Sequence, residues 1–228
     1  MTAPLTLISS MATRQILNDL AADYERRTGQ AVRVESVGGV DAAKRVQAGE
    51  AFDLVVLAAN AIDQLATAGK TAGPRKDLVT SGVAVAVKAG APRPAIDSEE
   101  AVKQAVLSAQ SLAYSTGPSG VQLAKLFERW GIAAEIQPRI VTAPPGVPVG
   151  SLVAKGEVAL GFQQLSELLH VQGIQIVGPL PPTIQITTTF SAGVGALSQQ
   201  VDAARSLLAY LASPAAADAK RKQGMTPA

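Results

Sequence analysis

Leu5-Thr-Leu-Ile-Ser9, Val32-Arg-Val-Glu-Ser-Val37 and Asp53-Leu-Val-Val-Leu57 are three short strand-like runs separated by two stretches of helical period. Between the first two, Ile16, Leu17, Leu20, Ala21 and Tyr24 recur at the spacing of one helix face, and Gly29 closes the segment. Between the second and third, Asp41 is placed to cap a helix through Ala48, with Gly49 as its stop. The third run is nearly continuous in apolar residues, as in a strand buried on both faces of a parallel sheet. Asn60 then opens another helix, which stops at Gly69. The βαβαβα series predicts a doubly wound α/β arrangement.

Further along, the pattern changes. Residues 71–78 are polar and rich in breakers, Gly82–Lys88 alternates like a long strand, and a second set of alternations follows. It predicts helices over 98–107, 119–130, 149–155 and 166–170, with strands over 112–115, 137–141, 159–163 and 174–177. Ile184–Val194 is another long strand-like run, and helices over 198–212 and 214–223 close the chain. Mainly parallel sheets are expected. The simplest topology is two-lobed: residues 1–80 plus 190–228 form one lobe and 82–183 the other. A hinge of two β crossovers is expected near 81–88 and 184–194.

Composition narrows the chemistry. With 228 residues, 47% of them hydrophobic, the chain can bury a real core. Zero cysteines exclude disulfides, thiolate metal sites and a cysteine nucleophile, and a single histidine, His170, excludes a histidine-rich metal site. No metal or cofactor is expected. Twenty Lys and Arg against eighteen Asp and Glu leave +2, with the basic residues scattered, so nucleic acid has little support as a partner. No run reaches the ~18 apolar residues of a membrane span, so membrane insertion is not expected. As written, the N-terminus carries no export signal, which points to the cytoplasm; a periplasmic protein is the alternative if this is a mature form.

Several motifs, in this order, resemble the type 2 periplasmic solute-binding proteins, in particular their molybdate-binding-like branch. They are Gly49-Glu-Ala-Phe-Asp-Leu-Val-Val56, Ser81-Gly-Val-Ala-Val-Ala-Val-Lys88, Ser115-Thr-Gly-Pro-Ser-Gly120 and Leu152-Val-Ala-Lys-Gly-Glu-Val-Ala-Leu-Gly161, followed by Val177-Gly-Pro-Leu-Pro181 and Gly224-Met-Thr-Pro-Ala228. The resemblance implies two α/β lobes hinged over a ligand cleft between them, closing on a small anion. That anion would be molybdate, tungstate or sulfate, or else a carboxylate. It also implies a monomer, with an ABC permease as partner if the protein is exported. The branch includes aconitate isomerase, so an isomerase moving a double bond in a small tricarboxylate is the alternative to plain binding.

The candidate ligand residues lie where strands give way to helices, the place anions favour in open α/β sheets. Ser9 and Ser10 follow the first strand, although both could serve only the helix after them. Ser36, followed by Gly38 and Gly39, ends the second, where a plain turn is the alternative. Ser119 and the amide of Gly120 open a helix in the second lobe. By resemblance, Gln164 falls where molybdate binders carry a tyrosine hydroxyl, and Val147, in the loop 143–148, falls near another contact. Arg14 sits in the first turn of a helix, where a cation opposes the macrodipole. It either pairs with a ligand carboxylate or is merely solvated. Arg75 and Lys76, just before the expected hinge, either contribute to the ligand site or, the reading preferred, are solvated loop charges. Glu167 and His170 offer a general base on paper, but read as polar residues of a short helix facing water. No residue declares itself catalytic.

Overall fold

The computed structural model describes residues 3–143 and 147–228. The chain divides into two compact units, Met1–Ser81 with Thr189–Ala228, and Gly82–Thr188.

In unit 1, β1 (Leu5–Ser10), α1 (Arg14–Thr28), β2 (Val32–Val37), α2 (Gly39–Gln47), β3 (Leu54–Ala58) and α3 (Ala59–Thr67) follow in the expected order. A short 3-10 turn, Met11–Thr13, lies between β1 and α1. β1 pairs in parallel with β2 and with β3, and β3 pairs antiparallel with β8 (Thr187–Gly195). Both faces of this sheet are covered. Leu5, Leu7, Leu54 and Val56 pack with Ile16, Leu17 and Leu20 of α1 and with Leu207, Leu208 and Leu211 of α9 (Val201–Ala212). On the other face, Ile8, Val55 and Leu57 pack with Ala42 and Val46 of α2 and Ile62 and Leu65 of α3. Burial on both sides explains why β3 is a continuous apolar run. α1 stops at Gly29, whose φ of 75° belongs to the left-handed region that glycine enters without strain.

Unit 2 is built around β4 (Thr71–Lys88), which runs on from unit 1. Its C-terminal half pairs antiparallel with β6 (Leu160–Gln164) and β7 (Ile174–Pro179), and β6 pairs in parallel with β5 (Leu112–Tyr114). One face carries α4 (Glu99–Ser108) and α5 (Pro118–Arg129), through Val83, Val85, Val102, Val106, Leu123, Phe127 and Phe162. The other carries α7 (Val149–Lys155) and α8 (Leu165–Leu168), against Ala84, Ala86 and Ala113.

Several local expectations are corrected. Residues 71–78 are not a breaker-rich link but the first half of β4, where Gly73 takes φ 72°. Val79 and Thr80 pair with β9 (Thr226–Pro227), a two-residue strand that periodicity did not show. A strand margin tolerates proline and outward charges, which is why this stretch reads as a loop. Residues 137–141 are not a strand. The chain forms α6 (Ala133–Ile136) and a 3-10 turn, Gln137–Arg139, with Pro138 at its start, and only Ile140 bridges to Leu112. Arg139 donates instead to the carbonyls of Leu107 and Ala109 at the end of α4, 2.7 and 2.6 Å away. The closing helix is shorter than expected, α10 (Ala217–Lys222) after a 3-10 turn. The sheets are mixed: β8, and β4 with its partners β6, β7 and β9, all pair antiparallel.

Candidate functional site

The parallel register sets Ser9 opposite Ser36, and their hydroxyls meet at 2.7 Å. Ser9, fully buried, donates to the carbonyl of Ser10 at 3.2 Å, so the bond between the two hydroxyls takes its proton from Ser36. An outside acceptor would draw on that Ser36 proton and leave the Ser9–Ser10 bond as it is. Beside them Thr13, which was not singled out in the sequence, donates to the carbonyl of Ser10 at 3.1 Å. Ser10 Oγ is only loosely engaged by Thr13, at 3.4 Å, so its proton too can turn outward.

Helix starts add backbone donors. Ser10, Thr13, Gly38 and Ala58 sit at the N-caps of the 3-10 turn, α1, α2 and α3, and none gives its helix a side-chain cap. Asp41 and Asn60 lie inside α2 and α3, not at the caps expected of them. By contrast Ser98 caps α4 conventionally, accepting from Ala101 N at 3.1 Å. First-turn amides without a cap keep their hydrogen-bonding capacity, and the helix dipole favours negative charge there. A Cβ on Gly39 would come within 3.4 Å of Ser10 Cβ, so α2 begins against that serine.

Arg14 is the first residue of α1 and is exposed. No carboxylate among the described residues pairs with its guanidinium. Arg75 differs: it bonds Asp63 at 2.7 Å, Ser191 at 2.9 Å and also Asp77, tying β4 to α3 and β8. It is a structural ion-pair centre rather than a solvated loop charge.

Unit 2 has its own donor set. Ser119 and Gly120 are buried at the start of α5, and Ser119 Oγ lies 3.1 Å from Ser115 Oγ. Gly120 has no alternative: a Cβ would fall 1.5 Å from the carbonyl oxygen of Ser115. Gln164 ends β6 and is 3% exposed. Its Nε2 donates to Thr188 Oγ1 at 2.9 Å, while its Oε1 is buried without a partner. Val147 is half-buried against the Ala113 and Val149 cluster. The rest of its loop, residues 144–146, lies outside the described residues.

Glu167 was misjudged. It is half-buried on α8, less exposed than its sequence context suggested. Burial pushes its carboxyl from the ordinary 4.5 up to about 7, against the opposing effect of a hydrogen bond from Gln163. That bond is 2.9 Å long, and Gln163 Oε1 accepts from Gly150 N at 3.0 Å. His170 is exposed as expected. The available signal was a lone carboxylate flanked by Leu165, Leu168 and Leu169, just past a strand end.

Among the described residues, no group of His, Asp and Glu is arranged to hold a metal, and no helix is long and apolar enough to cross a membrane.

Comparison with known proteins adds an independent line. A family described as bacterial extracellular solute-binding protein matches residues 5–226. An aconitate isomerase from a Pseudomonas species is 40% identical over 230 residues, covering 98% of this chain and 87% of that protein. The periplasmic molybdate-binding protein of Azotobacter vinelandii has a TM-score of 0.81 at 20% identity, covering 97% of this chain and 98% of its own. The sulfate-binding protein of Mycobacterium tuberculosis gives 0.78 at 16% identity, over 99% of this chain and 87% of that one. The two structural likenesses show the periplasmic-binding-protein fold.

Proposed function

The chain belongs to the bacterial extracellular solute-binding protein family, and from that membership we propose that it binds a small anion. Unit 1 offers Ser9, Ser10 and Ser36 with the start of α2 as donors, and unit 2, taken by itself, offers Ser119, Gly120 and Gln164. The observation that carries this reading is the Ser9–Ser36 and Ser10–Thr13 hydroxyl pairs lying against helix starts without side-chain caps. Neutral donors with aligned amides suit an anion and offer little to a cation. If the protein is exported, an ABC permease is its partner.

A panel of molybdate, tungstate, sulfate, citrate, cis-aconitate and trans-aconitate tests the reading and the ligand class together. A true ligand at a hundredfold excess over its Kd adds about 2.7 kcal/mol of stability, read as a raised melting temperature. No shift with any member of the panel would reject anion binding. Arg14 separates the classes. If it pairs with a carboxylate, Arg14→Ala weakens carboxylate binding by ~2 kcal/mol or more, about thirtyfold. If the ligand is an inorganic oxyanion held by neutral donors, Arg14→Ala is silent.

A second reading is favoured by the 40% identity to an aconitate isomerase along nearly the whole chain. On it, the bound anion is an unsaturated tricarboxylate and the protein moves its double bond by proton transfer. Proton NMR of trans-aconitate incubated with the protein tests this, since isomerisation moves the vinyl resonance.

A further inference from the structure

An isomerase of this kind needs a group that takes a proton from carbon and returns it, and the sequence alone declared none. We infer that Glu167 is that proton-transfer group, an assignment that rests on the isomerase reading. The supporting geometry begins with position. β5 and β6 run parallel with Tyr114 opposite Phe162, so the chain leaves β5 at Ser115 and leaves β6 two residues further on, after Gln164, at the same end of the sheet. The Ser115–Ser119–Gly120 donor set begins there, and Glu167 stands on the helix that starts as β6 ends.

Orientation is the second argument. The Gln163 amide has only one way to sit, because its Oε1 accepts from a backbone N–H, that of Gly150. Its Nε2 is thereby directed at Glu167 Oε1. One carboxyl oxygen is held by that bond, and in the proposed step the other meets the substrate. Few charged groups stand on the described elements packed against Glu167. β6 and β7 carry no charged residue. α7 carries only Lys155, which is exposed and 3.9 Å from Glu157. α8 carries only Glu167 itself, with exposed His170 beyond it, and β4 offers Lys88 near Gly156 at the other end of α7.

A glutamine at position 167 would accept the same bond from Gln163 without the cost of desolvating a charge. Retaining a carboxyl where a neutral isostere would be more stable is the mark of a group kept for its proton. Titration near neutrality, where such a group can both accept and return a proton, is consistent with this.

The step balances without any co-reactant. The Glu167 carboxylate takes a proton from the saturated carbon next to the double bond, and the C–H electron pair becomes the new C=C. The old C=C pair then takes the proton back from the Glu167 carboxyl at the far carbon. Composition, charge and oxidation level are unchanged.

The test compares wild type, Glu167→Gln and Glu167→Asp on trans-aconitate, following isomerisation and deuterium uptake in D2O by NMR and binding by calorimetry. Glu167→Gln is expected to bind within about twofold of wild type while isomerisation and deuterium uptake fall at least about a hundredfold. Glu167→Asp should retain intermediate activity. The wild-type profile of kcat/KM should fall below about pH 7 as the base is protonated, an acid limb that a purely structural carboxyl would not produce. An active wild type with equally active Glu167→Gln, or without that limb, overturns the inference while leaving the isomerase reading intact. A wild type that binds trans-aconitate and neither isomerises nor deuterates it rejects the isomerase reading, and the role of Glu167 with it.

Discussion

In unit 1, Ser9 pairs with Ser36 at 2.7 Å and Ser10 loosely with Thr13 at 3.4 Å, so each hydroxyl of the candidate site has a hydroxyl neighbour, and Ser10 can exchange its own readily. In unit 2, Gln164 Oε1 is buried with no donor among the described residues, and Glu167 accepts from the neutral amide of Gln163. The first set costs the fold little and changes its partners easily, as a binding surface should. The second carries a standing cost, because a buried polar atom without a partner gives up its hydration for nothing. Donors that are at ease hold an anion in place, whereas groups kept under cost are the ones available for selectivity and proton chemistry.

The contrast breaks first at Gly120, where the largest effect is expected. Gly120→Ala puts a Cβ into the Ser115 carbonyl and should destabilise unit 2 by ~3 kcal/mol, against a small effect of Gly39→Ala, where the nearest contact is ordinary. Urea melts of the two variants measure the difference. Next come Ser10→Ala and Ser119→Ala. Each removes a donor to a charged ligand, and each should weaken binding by about 1.5–3 kcal/mol in calorimetric titration. An effect confined to one of them would assign the anion to that unit alone.

Glu167 sharpens the contrast through pH. Below the ordinary carboxyl range the group is protonated in both folded and unfolded chains and costs nothing. As pH rises toward about 7 the unfolded chain ionises while the folded one resists, so stability is lost through that window and stays lost above it. Glu167→Gln should therefore match wild type near about pH 4 and exceed it by ~1–2 kcal/mol near about pH 8, in urea melts at both values. The smallest effect belongs to a conventional cap outside the comparison: Ser98→Ala should cost ~1 kcal/mol of stability and leave binding unchanged.

Much of the fold was legible because its signals are periodic. The buried runs of β1 and β3 and the apolar face of α1 with its glycine stop could be read directly. β4 could not, since its first half is polar and charged, and groups it bonds, Ser191 to Arg75 and Ala228 N to the Leu78 carbonyl, come from the far end of the chain. Residues 137–141 failed for a related reason: Ile140 and Val141 look alternating, but Pro138 and the carbonyls at the end of α4 draw Arg139 into a turn. At the site, Ser9, Ser10 and Ser36 were visible as polar residues at strand ends. Thr13 and Thr188 were not, and Glu167 was seen but read as facing water, because their significance lies in contacts and burial that no local spacing encodes.

The order of strands along the chain has a consequence for synthesis. β3 finds its antiparallel partner only in β8, where Val55 meets Gly193, and α9 supplies much of one wall of the same core. While a ribosome is still extending the chain through residues 82–188, unit 1 has an unpaired strand edge and an uncovered apolar face. Once residue 188 has been added, unit 2 has received every segment it needs while unit 1 still lacks β8 and α9, so unit 2 is expected to be the first to become resistant to protease on a stalled nascent chain. The opening residues would wait for those after Thr189. Pauses placed late in translation are then the ones expected to expose the β3 edge to aggregation.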